Sequence, residues 1–165
     1  IAVAQTSVNQ LGVFLGNGNS TFQARVDYAT AATCLWLVAG HFDGDSRLDI
    51  LCANENLVGS ISMFKGNGDG TFQPKSDFAT DPYPLKFVAA DIDLDGILDL
   101  AIPSWTQGFS IMLGNGNGTF KPKQAYHAPL QSYTLAVGDL NGDGYPDIVD
   151  AGYLASGELR VNLQK

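Results

Sequence analysis

The stretch Asp91-Ile92-Asp93-Leu94-Asp95-Gly96-Ile97-Leu98-Asp99 decides how the rest of the chain is interpreted. Its carboxylates stand at positions 1, 3, 5 and 9, and the glycine at position 6 permits a sharp turn. Four like charges this close repel one another unless a cation lies among them. Oxygen ligands at alternating positions suit a hard ion, above all Ca²⁺. We therefore predict a calcium-binding loop here.

This loop is one of three copies in the chain. Asp139–Asp147 keeps the pattern, with Asn141 at position 3, whereas His41–Asp49 has His41 at position 1 and Ser46 at position 6. A second motif, Gly-Asn-Gly, begins at Gly16, Gly66 and Gly114. Both motifs recur at steps of 50 and then 48 residues, which indicates a structural repeat of that length.

Short apolar runs separated by Gly, Asn, Asp and Pro predict four β-strands in each repeat. The order is b-c-d, then a-b-c-d twice, then a-b-c, which gives 14 strands and about three and a half repeats. We expect one repeat domain over residues 1–165, divided into a partial repeat 1–34, repeats 35–84 and 85–133, and a partial repeat 134–165. The predicted fold is all-β, a β-propeller built of four-stranded antiparallel blades.

An acidic loop, an apolar strand and then Gly-Asn-Gly-x-Gly-Thr-Phe resemble the FG-GAP or VCBS repeat. The strongest matches are Gly66–Phe72 with Asp91–Asp99, and Gly114–Phe120 with Asp139–Asp147. That family includes the β-propeller of integrin α-subunits and many secreted bacterial proteins. The resemblance implies Ca²⁺ in a structural role and an extracellular or cell-surface location. EF-hands share the opening of the loop, but they need Glu at position 12 and flanking helices.

The second and third loops are predicted to bind Ca²⁺, and the first, His41–Asp49, is predicted to be weak or vacant. The ligands expected in the second loop are Asp91, Asp93, Asp95, the Ile97 carbonyl and Asp99. Those expected in the third are Asp139, Asn141, Asp143, the Tyr145 carbonyl and Asp147. The first loop offers Asp43, Asp45, the Arg47 carbonyl and Asp49, but an imidazole at position 1 is a poor calcium ligand.

Up-and-down strand order places the acidic loops and the Gly-rich turns on one face and the remaining turns on the other. The other face carries a candidate ligand surface of four aromatic residues, Trp105, Tyr83, Tyr133 and Tyr153. Aromatic rings at such positions stack on sugars or anchor a protein partner. The recurring Phe22, Phe72 and Phe120, together with Trp36, are expected to lie in the core.

The two cysteines are predicted to be unpaired. With Val38 opposite Cys52 in a hairpin, Cys34 lies four residues further along the strand, about 13 Å away at the usual rise. That distance exceeds the reach of a disulfide.

Charge and hydropathy exclude some partners. The net charge is −8, and ten of the 17 acidic residues lie in the three loops. The sequence has no basic stripe, so we do not expect it to bind nucleic acid. No apolar run reaches the length of a membrane span. The chain begins at Ile1, and we expect a processed product or a piece of a longer protein.

Three functions fit these patterns. The first is a calcium-binding recognition module for extracellular adhesion, with a glycan or an extracellular protein as ligand. The second is a non-catalytic scaffold segment of a larger secreted protein. An enzyme, as a propeller lyase or hydrolase, is disfavoured because only His41, His127, Asp150 and scattered acids lie outside the structural set. A closed propeller has about four to eight blades, so a homo-oligomer could complete the ring.

Overall fold

A computed structural model describes residues 1–126, 131–152 and 159–162. These residues form 14 β-strands and no helix. In chain order the strands are β1 Ala2–Gln5, β2 Gln10–Val13, β3 Val26–Ala29, β4 Thr33–Gly40, β5 Asp49–Glu55, β6 Ser60–Phe64, β7 Ser76–Ala79, β8 Val88–Ala90, β9 Asp99–Ser104, β10 Gly108–Met112, β11 Gln124–Tyr126, β12 Ser132–Gly138, β13 Asp147–Gly152 and β14 Leu159–Asn162.

The strands form four sheets in which consecutive strands pair antiparallel. The first sheet holds β1–β3, the second β4–β7, the third β8–β11 and the fourth β12–β14. This is the predicted order of strands, with a three-stranded sheet at each end and two four-stranded sheets between them. The prediction of an all-β fold made of four-stranded antiparallel units is confirmed.

Three apolar layers lie between successive sheets. Leu11 of the first sheet packs in one cluster with Phe64 of the second, and Leu51 of the second packs with Leu100 of the third. Ile111 of the third sheet packs with Leu135 of the fourth. The burial of these layers away from water is the main favourable contribution to folding.

The first strands of successive sheets lie beside one another. An isolated parallel bridge joins Lys86, just before β8, to Thr134 in β12. This arrangement is that of the inner strands of propeller blades, which line a common axis. Among the described residues the sheets form an open array and not a closed ring.

The last strand of each unit begins later than predicted. Phe22, Phe72 and Phe120 make only an isolated bridge to the first glycine of the turn, and regular pairing starts four residues further on. In two units the intervening residues include a proline, Pro74 or Pro122, which has no N–H to donate to a neighbouring strand.

Two aromatic residues predicted to lie in the core are partly exposed. Phe22 is 48% exposed and Trp36 is 38% exposed, whereas Phe72 and Phe120 are half-buried and pack against apolar clusters. Phe22 has only Phe14 as a ring partner, at a centroid distance of 6.5 Å. Trp36 lies on an inner strand, where the Lys86 side chain covers its ring instead of an apolar layer.

The prediction of unpaired cysteines was wrong, because Cys34 and Cys52 form a disulfide with a Cα–Cα distance of 5.8 Å. The expected register omitted a β-bulge between Cys34 and Trp36. The observed pairing sets Leu37, not Val38, opposite Cys52. Cys34 consequently lies opposite Asn54, only two residues from Cys52, so the two side chains are diagonal neighbours.

In the second and third sheets, the closing aspartate of the acidic loop connects that loop to the Gly-rich turn of the same sheet. Buried Asp49 accepts hydrogen bonds from the N–H groups of Phe42, at 3.0 Å, and Gly66, at 2.9 Å. Asp99 does the same with Ile92, at 2.8 Å, and Gly114, at 2.8 Å. One carboxylate therefore satisfies donors from two hairpins and joins their turns at one end of the sheet.

The first glycine of the turn is required by close backbone approach. A Cβ at Gly66 would lie 2.2 Å from the Leu48 carbonyl oxygen, and one at Gly114 would lie 2.5 Å from that of Leu98. In the first sheet, a Cβ at Gly16 would meet nothing within 4 Å. The described residues contain no helix that is long and apolar enough to cross a membrane.

Removing the disulfide should destabilise the fold without changing it. The bond joins residues 18 apart, and we expect Cys34→Ser/Cys52→Ser to lower the free energy of unfolding by about 3 kcal/mol. Denaturant titration of the oxidised protein and the double variant measures this difference. Free thiols in the native protein, detected by alkylation and mass spectrometry, would contradict the pairing.

The glycine contact has a matched control within the repeat. Gly66→Ala should cost about 1–3 kcal/mol because the new Cβ must displace the Leu48 backbone. Gly16→Ala has open space and should stay within about 0.5 kcal/mol of the wild type. Thermal unfolding of both variants tests this, and equal losses would show that backbone approach is not the cause.

Candidate functional site

The second acidic loop, Asp91–Asp99, gathers acidic oxygens around one point. Asp91, Asp93 and Asp99 each offer a carboxylate oxygen, and these three atoms lie within 4.8 Å of one another. Asp91 Oδ2 accepts the N–H of Gly96 at 2.9 Å, but Asp91 Oδ1 is buried and has no hydrogen-bond partner among the described residues. A buried oxygen without a donor is costly, and a cation would satisfy it.

The electrostatics of the same loop are unfavourable without a positive charge. Burial raises the pKa of the Asp99 carboxyl, and the neighbouring charge of Asp93 raises it further, against the opposing hydrogen bonds from Gly114 and Ile92. No Lys or Arg forms an ion pair with the four aspartates of this loop in the described part of the chain. The donor set is therefore all oxygen and strongly anionic, which fits Ca²⁺.

The remaining predicted ligands of the second loop lie outside the group of three. Asp95 Oδ1 accepts the N–H of Ile97 at 2.8 Å and closes a local turn. The Ile97 side chain packs against the Gly-rich turn, where a Cβ at Gly116 would lie 3.1 Å from it. Leu94 and Gly96 have positive φ, which lets the loop fold sharply around its carboxylates.

The third acidic loop, Asp139–Asp147, uses its polar groups on its own backbone. Asp139 accepts N–H groups from Gly142, at 2.7 Å, and Gly144, at 2.9 Å, and these bonds, that of Gly144 first, lower the pKa of its carboxyl. Asn141 Nδ2 donates to Asp143 Oδ2 at 2.9 Å, and Asp143 Oδ1 accepts the Tyr145 N–H at 2.9 Å. Cation binding here must compete with these internal hydrogen bonds.

Asp147 shares the burial of its counterparts in the other loops and their hydrogen bond from the second residue of the loop. It is fully buried, and its Oδ2 accepts the N–H of Leu140 at 2.9 Å. In the described residues, a group of three clustered acidic oxygens occurs in the second loop but not in this one. The third loop resembles the second in backbone, since Gly142 and Gly144 have positive φ at the same two positions as Leu94 and Gly96.

The first acidic loop, His41–Asp49, differs from both. Arg47 forms an ion pair with Asp45, with Nη2 2.6 Å from Oδ2, and Lys65 forms one with Asp43 at 3.4 Å. The backbone N–H and then the guanidinium of Arg47 lower the pKa of the Asp45 carboxyl. The loop thus places basic side chains beside the carboxylates that were predicted to be weak metal ligands.

On the opposite face the structure brings together some of the predicted aromatic residues. The rings of Trp105 and Tyr133 meet edge to face, with centroids 6.3 Å apart. The backbone N–H of Trp105 donates to the Tyr83 carbonyl at 3.2 Å. Tyr153 lies outside the described residues. Lys86 Nζ lies 5.4 Å from the Trp36 ring centroid and 5.6 Å from that of Tyr133.

The sequence did not indicate the part played by three of these side chains. Trp36 was expected in the core, and Lys65 and Lys86 carried no motif. For Lys65 a signal was available, because the equivalent position before the first glycine of the turn is Leu15 or Leu113 in the other units. For Trp36 and Lys86 the pairing depends on which strands are neighbours across two sheets, which no local pattern reports.

Of the residues that remained as candidates for catalysis, the structure describes His41 and Asp150, and each contacts a different part of the fold. His41 Nδ1 lies 3.0 Å from the Arg47 carbonyl oxygen on the acidic-loop face. Asp150 is 1% exposed and accepts a hydrogen bond from Ser132 Oγ at 2.5 Å. His127 lies outside the described residues.

Comparison with known proteins agrees with the repeat architecture. Among curated proteins, none matches this chain. A family model described as FG-GAP-like repeat matches residues 41–102 and 103–149, which cover more than half of the sequence. The matched segments contain the three acidic loops and two of the Gly-rich turns. The chain therefore belongs to the FG-GAP-like repeat family, and its four-stranded sheets are β-propeller blades.

Proposed function

We propose that this protein is a calcium-stabilised, non-catalytic propeller module that works outside the cell as a recognition unit. The observation that carries the calcium assignment is the second acidic loop, where three carboxylate oxygens lie within 4.8 Å of one another. In the same loop Asp91 Oδ1 is buried without a donor among the described residues. A hard divalent ion satisfies that oxygen and offsets the repulsion among the carboxylates.

The residues that would hold the ion are Asp91, Asp93 and Asp99, with Asp95 and the Ile97 carbonyl completing the set. In the third loop they would be Asp139, Asn141, Asp143, the Tyr145 carbonyl and Asp147. The ion's contribution is structural, because the same loops join the first two strands of a sheet and bind the Gly-rich turn through their closing aspartates. Binding to the folded state alone adds to its stability.

The disulfide supports an extracellular location. The Cys34–Cys52 disulfide is of a kind that persists in oxidising compartments. The non-catalytic role has separate support. FG-GAP-like repeats generally form recognition and scaffold modules, and no constellation of catalytic groups appears among the described residues. The proposal does not require that this chain close a propeller by itself; a second copy or further repeats could complete the ring.

The recognition surface we propose is the aromatic row, defined as Trp36, Lys86, Tyr133 and Trp105. Trp36 and Tyr133 are each more than one-third exposed. The Trp36 indole N–H donates to the Phe87 carbonyl at 3.1 Å, which fixes the orientation of its ring. Flat, orientationally fixed rings beside a lysine suit a glycan or a protein segment that offers an apolar face.

Calcium binding should be measurable as a gain in stability. At a Ca²⁺ concentration one hundredfold above Kd, a single site stabilises the folded state by about 2.7 kcal/mol. We expect excess chelator to lower Tm, Ca²⁺ to restore it, and Mg²⁺ to restore it less because Mg²⁺ gives up its water reluctantly. Asp93→Asn should reduce the calcium effect, whereas Glu55→Gln removes a charge outside the loops and should not. An unchanged Tm in chelator, with no heat of binding in calorimetry, would refute the calcium assignment.

Ligand recognition has its own test. If the aromatic row binds a partner, Trp105→Ala/Tyr133→Ala should lower glycan-array or extracellular-protein binding at least tenfold, the scale of a lost interface hot spot. Tyr145→Ala is the matched control, since Tyr145 is 50% exposed on the acidic-loop face. Binding that survives the double variant, or that is lost equally in the control, would place recognition elsewhere.

A further inference from the structure

From the contacts of the first acidic loop, we infer that His41–Asp49 carries its cations within the chain, on Arg47 and Lys65, and folds without a metal ion. The contrast with the other two loops rests on the calcium binding proposed above, but the charge replacement itself does not. Three positions that break the repeat pattern, His41, Arg47 and Lys65, are all basic residues and all contact oxygens of this loop.

Arg47 binds Asp45 on both of its carboxylate oxygens. Its guanidinium reaches Asp45 Oδ2 through Nε at 2.7 Å and Nη2 at 2.6 Å, and its backbone N–H donates to Asp45 Oδ1 at 2.8 Å. The equivalent positions of the other loops hold Ile97 and Tyr145, which bring no charge. Position 5 of the first loop is therefore neutralised by position 7 of the same loop.

Lys65 supplies the second charge from the end of β6. Its ammonium lies 3.4 Å from Asp43 Oδ2 and donates to the Asn117 carbonyl of the next sheet at 2.7 Å. The Asp43 side chain is only 12% exposed and that of Lys65 is 31% exposed, so the pair is partly shielded from water. A Cβ at Gly118 would lie 2.6 Å from the ammonium, which shows how closely the neighbouring turn covers it.

The backbone oxygen that a metal would use is also engaged. His41 Nδ1 lies 3.0 Å from the Arg47 carbonyl oxygen, and with the proton on Nδ1 it donates to that oxygen. This carbonyl is at position 7, which the family pattern assigns to the ion. The charges of the loop, its carbonyl and its first side chain are thus all satisfied by protein groups.

The path of the backbone differs as well. In the second and third loops, the aspartate at position 1 accepts the N–H of the glycine at position 6, which has positive φ. In the first loop His41 replaces that acceptor, and Ser46 at position 6 does not have positive φ. The first loop thus keeps the positive φ at position 4, at Gly44, but lacks both the acceptor at position 1 and the positive φ at position 6.

The decisive measurement compares stability in excess chelator. Arg47→Ile/Lys65→Leu gives the loop the residues found in its repeats and removes both internal cations. In chelator we expect this variant to lose roughly 2–4 °C or more in Tm relative to wild type, the shift that one ordinary interaction produces in a chain of this size. The matched control is Arg25→Ile/Lys75→Leu, which likewise removes one Arg and one Lys, but these pair with Asp27 in β3 and Asp77 in β7, outside the acidic loops.

A gain-of-site variant provides a second readout. His41→Asp/Ser46→Gly/Arg47→Ile/Lys65→Leu restores the family pattern, and calorimetry should then count one more bound Ca²⁺ per chain than in wild type. If the double variant does not fold, Lys65→Met removes the ammonium and keeps the stem, and its Tm in chelator should still fall below that of the control.

The outcomes separate this inference from the calcium proposal. If wild type binds an ion at all three loops, or if the double variant is no less stable in chelator than the control, the inference is wrong and the calcium proposal stands. If wild type binds no Ca²⁺, the calcium proposal fails, and the comparison in chelator still decides whether Arg47 and Lys65 neutralise the first loop.

Discussion

The hydrogen bonds of the closing aspartate are the interaction on which each blade depends. In the second and third sheets, one buried carboxylate accepts an N–H from the second residue of the acidic loop and another from the first glycine of the turn. These donors belong to two different hairpins, so one side chain fixes the spacing of three strands. The close approach of Leu48 to Gly66 and of Leu98 to Gly114 follows from that spacing and excludes any side chain at either glycine.

The same arrangement explains why acidity is concentrated in this protein. A carboxylate buried at 0% exposure requires several donors, and further carboxylates only a few residues away raise the electrostatic cost. Each acidic loop therefore needs positive charge, either from a bound cation or from basic side chains of the chain itself. Among the described residues, no Lys or Arg forms an ion pair with the second loop, whereas two do so with the first. In this repeat, basic residues at His41, Arg47 and Lys65 have thus replaced the residues of the other repeats, and all three contact oxygens of one loop.

Much of the architecture was predictable because the acidic loop and the Gly-rich turn recur at the same spacing. The recurrence of Gly16, Gly66 and Gly114 with Asp49, Asp99 and Asp147 placed all strands in the correct order. The disulfide was missed because a single bulge before Trp36 shifts the strand register, and no residue type in this stretch predicts that bulge. Lys65 and the Lys86–Trp36 contact were missed because each joins residues about 50 apart through the packing of neighbouring sheets. The repeat pattern predicted the order of the strands, but it did not report the bulge or the contacts between neighbouring sheets.

The second sheet has a property that its neighbours lack. The disulfide joins the start of β4 to the middle of β5, while Arg47, Lys65 and Asp49 hold the loop at the other end of the same hairpin. Both ends of this hairpin are closed by groups that the chain itself supplies. On the inference above, this hairpin persists when divalent ions are withdrawn, although salt screens its ion pairs and reduction would open one end. In a repeat array where stability passes between neighbours, such a unit would act as a fixed template from which adjoining blades reassemble when conditions permit.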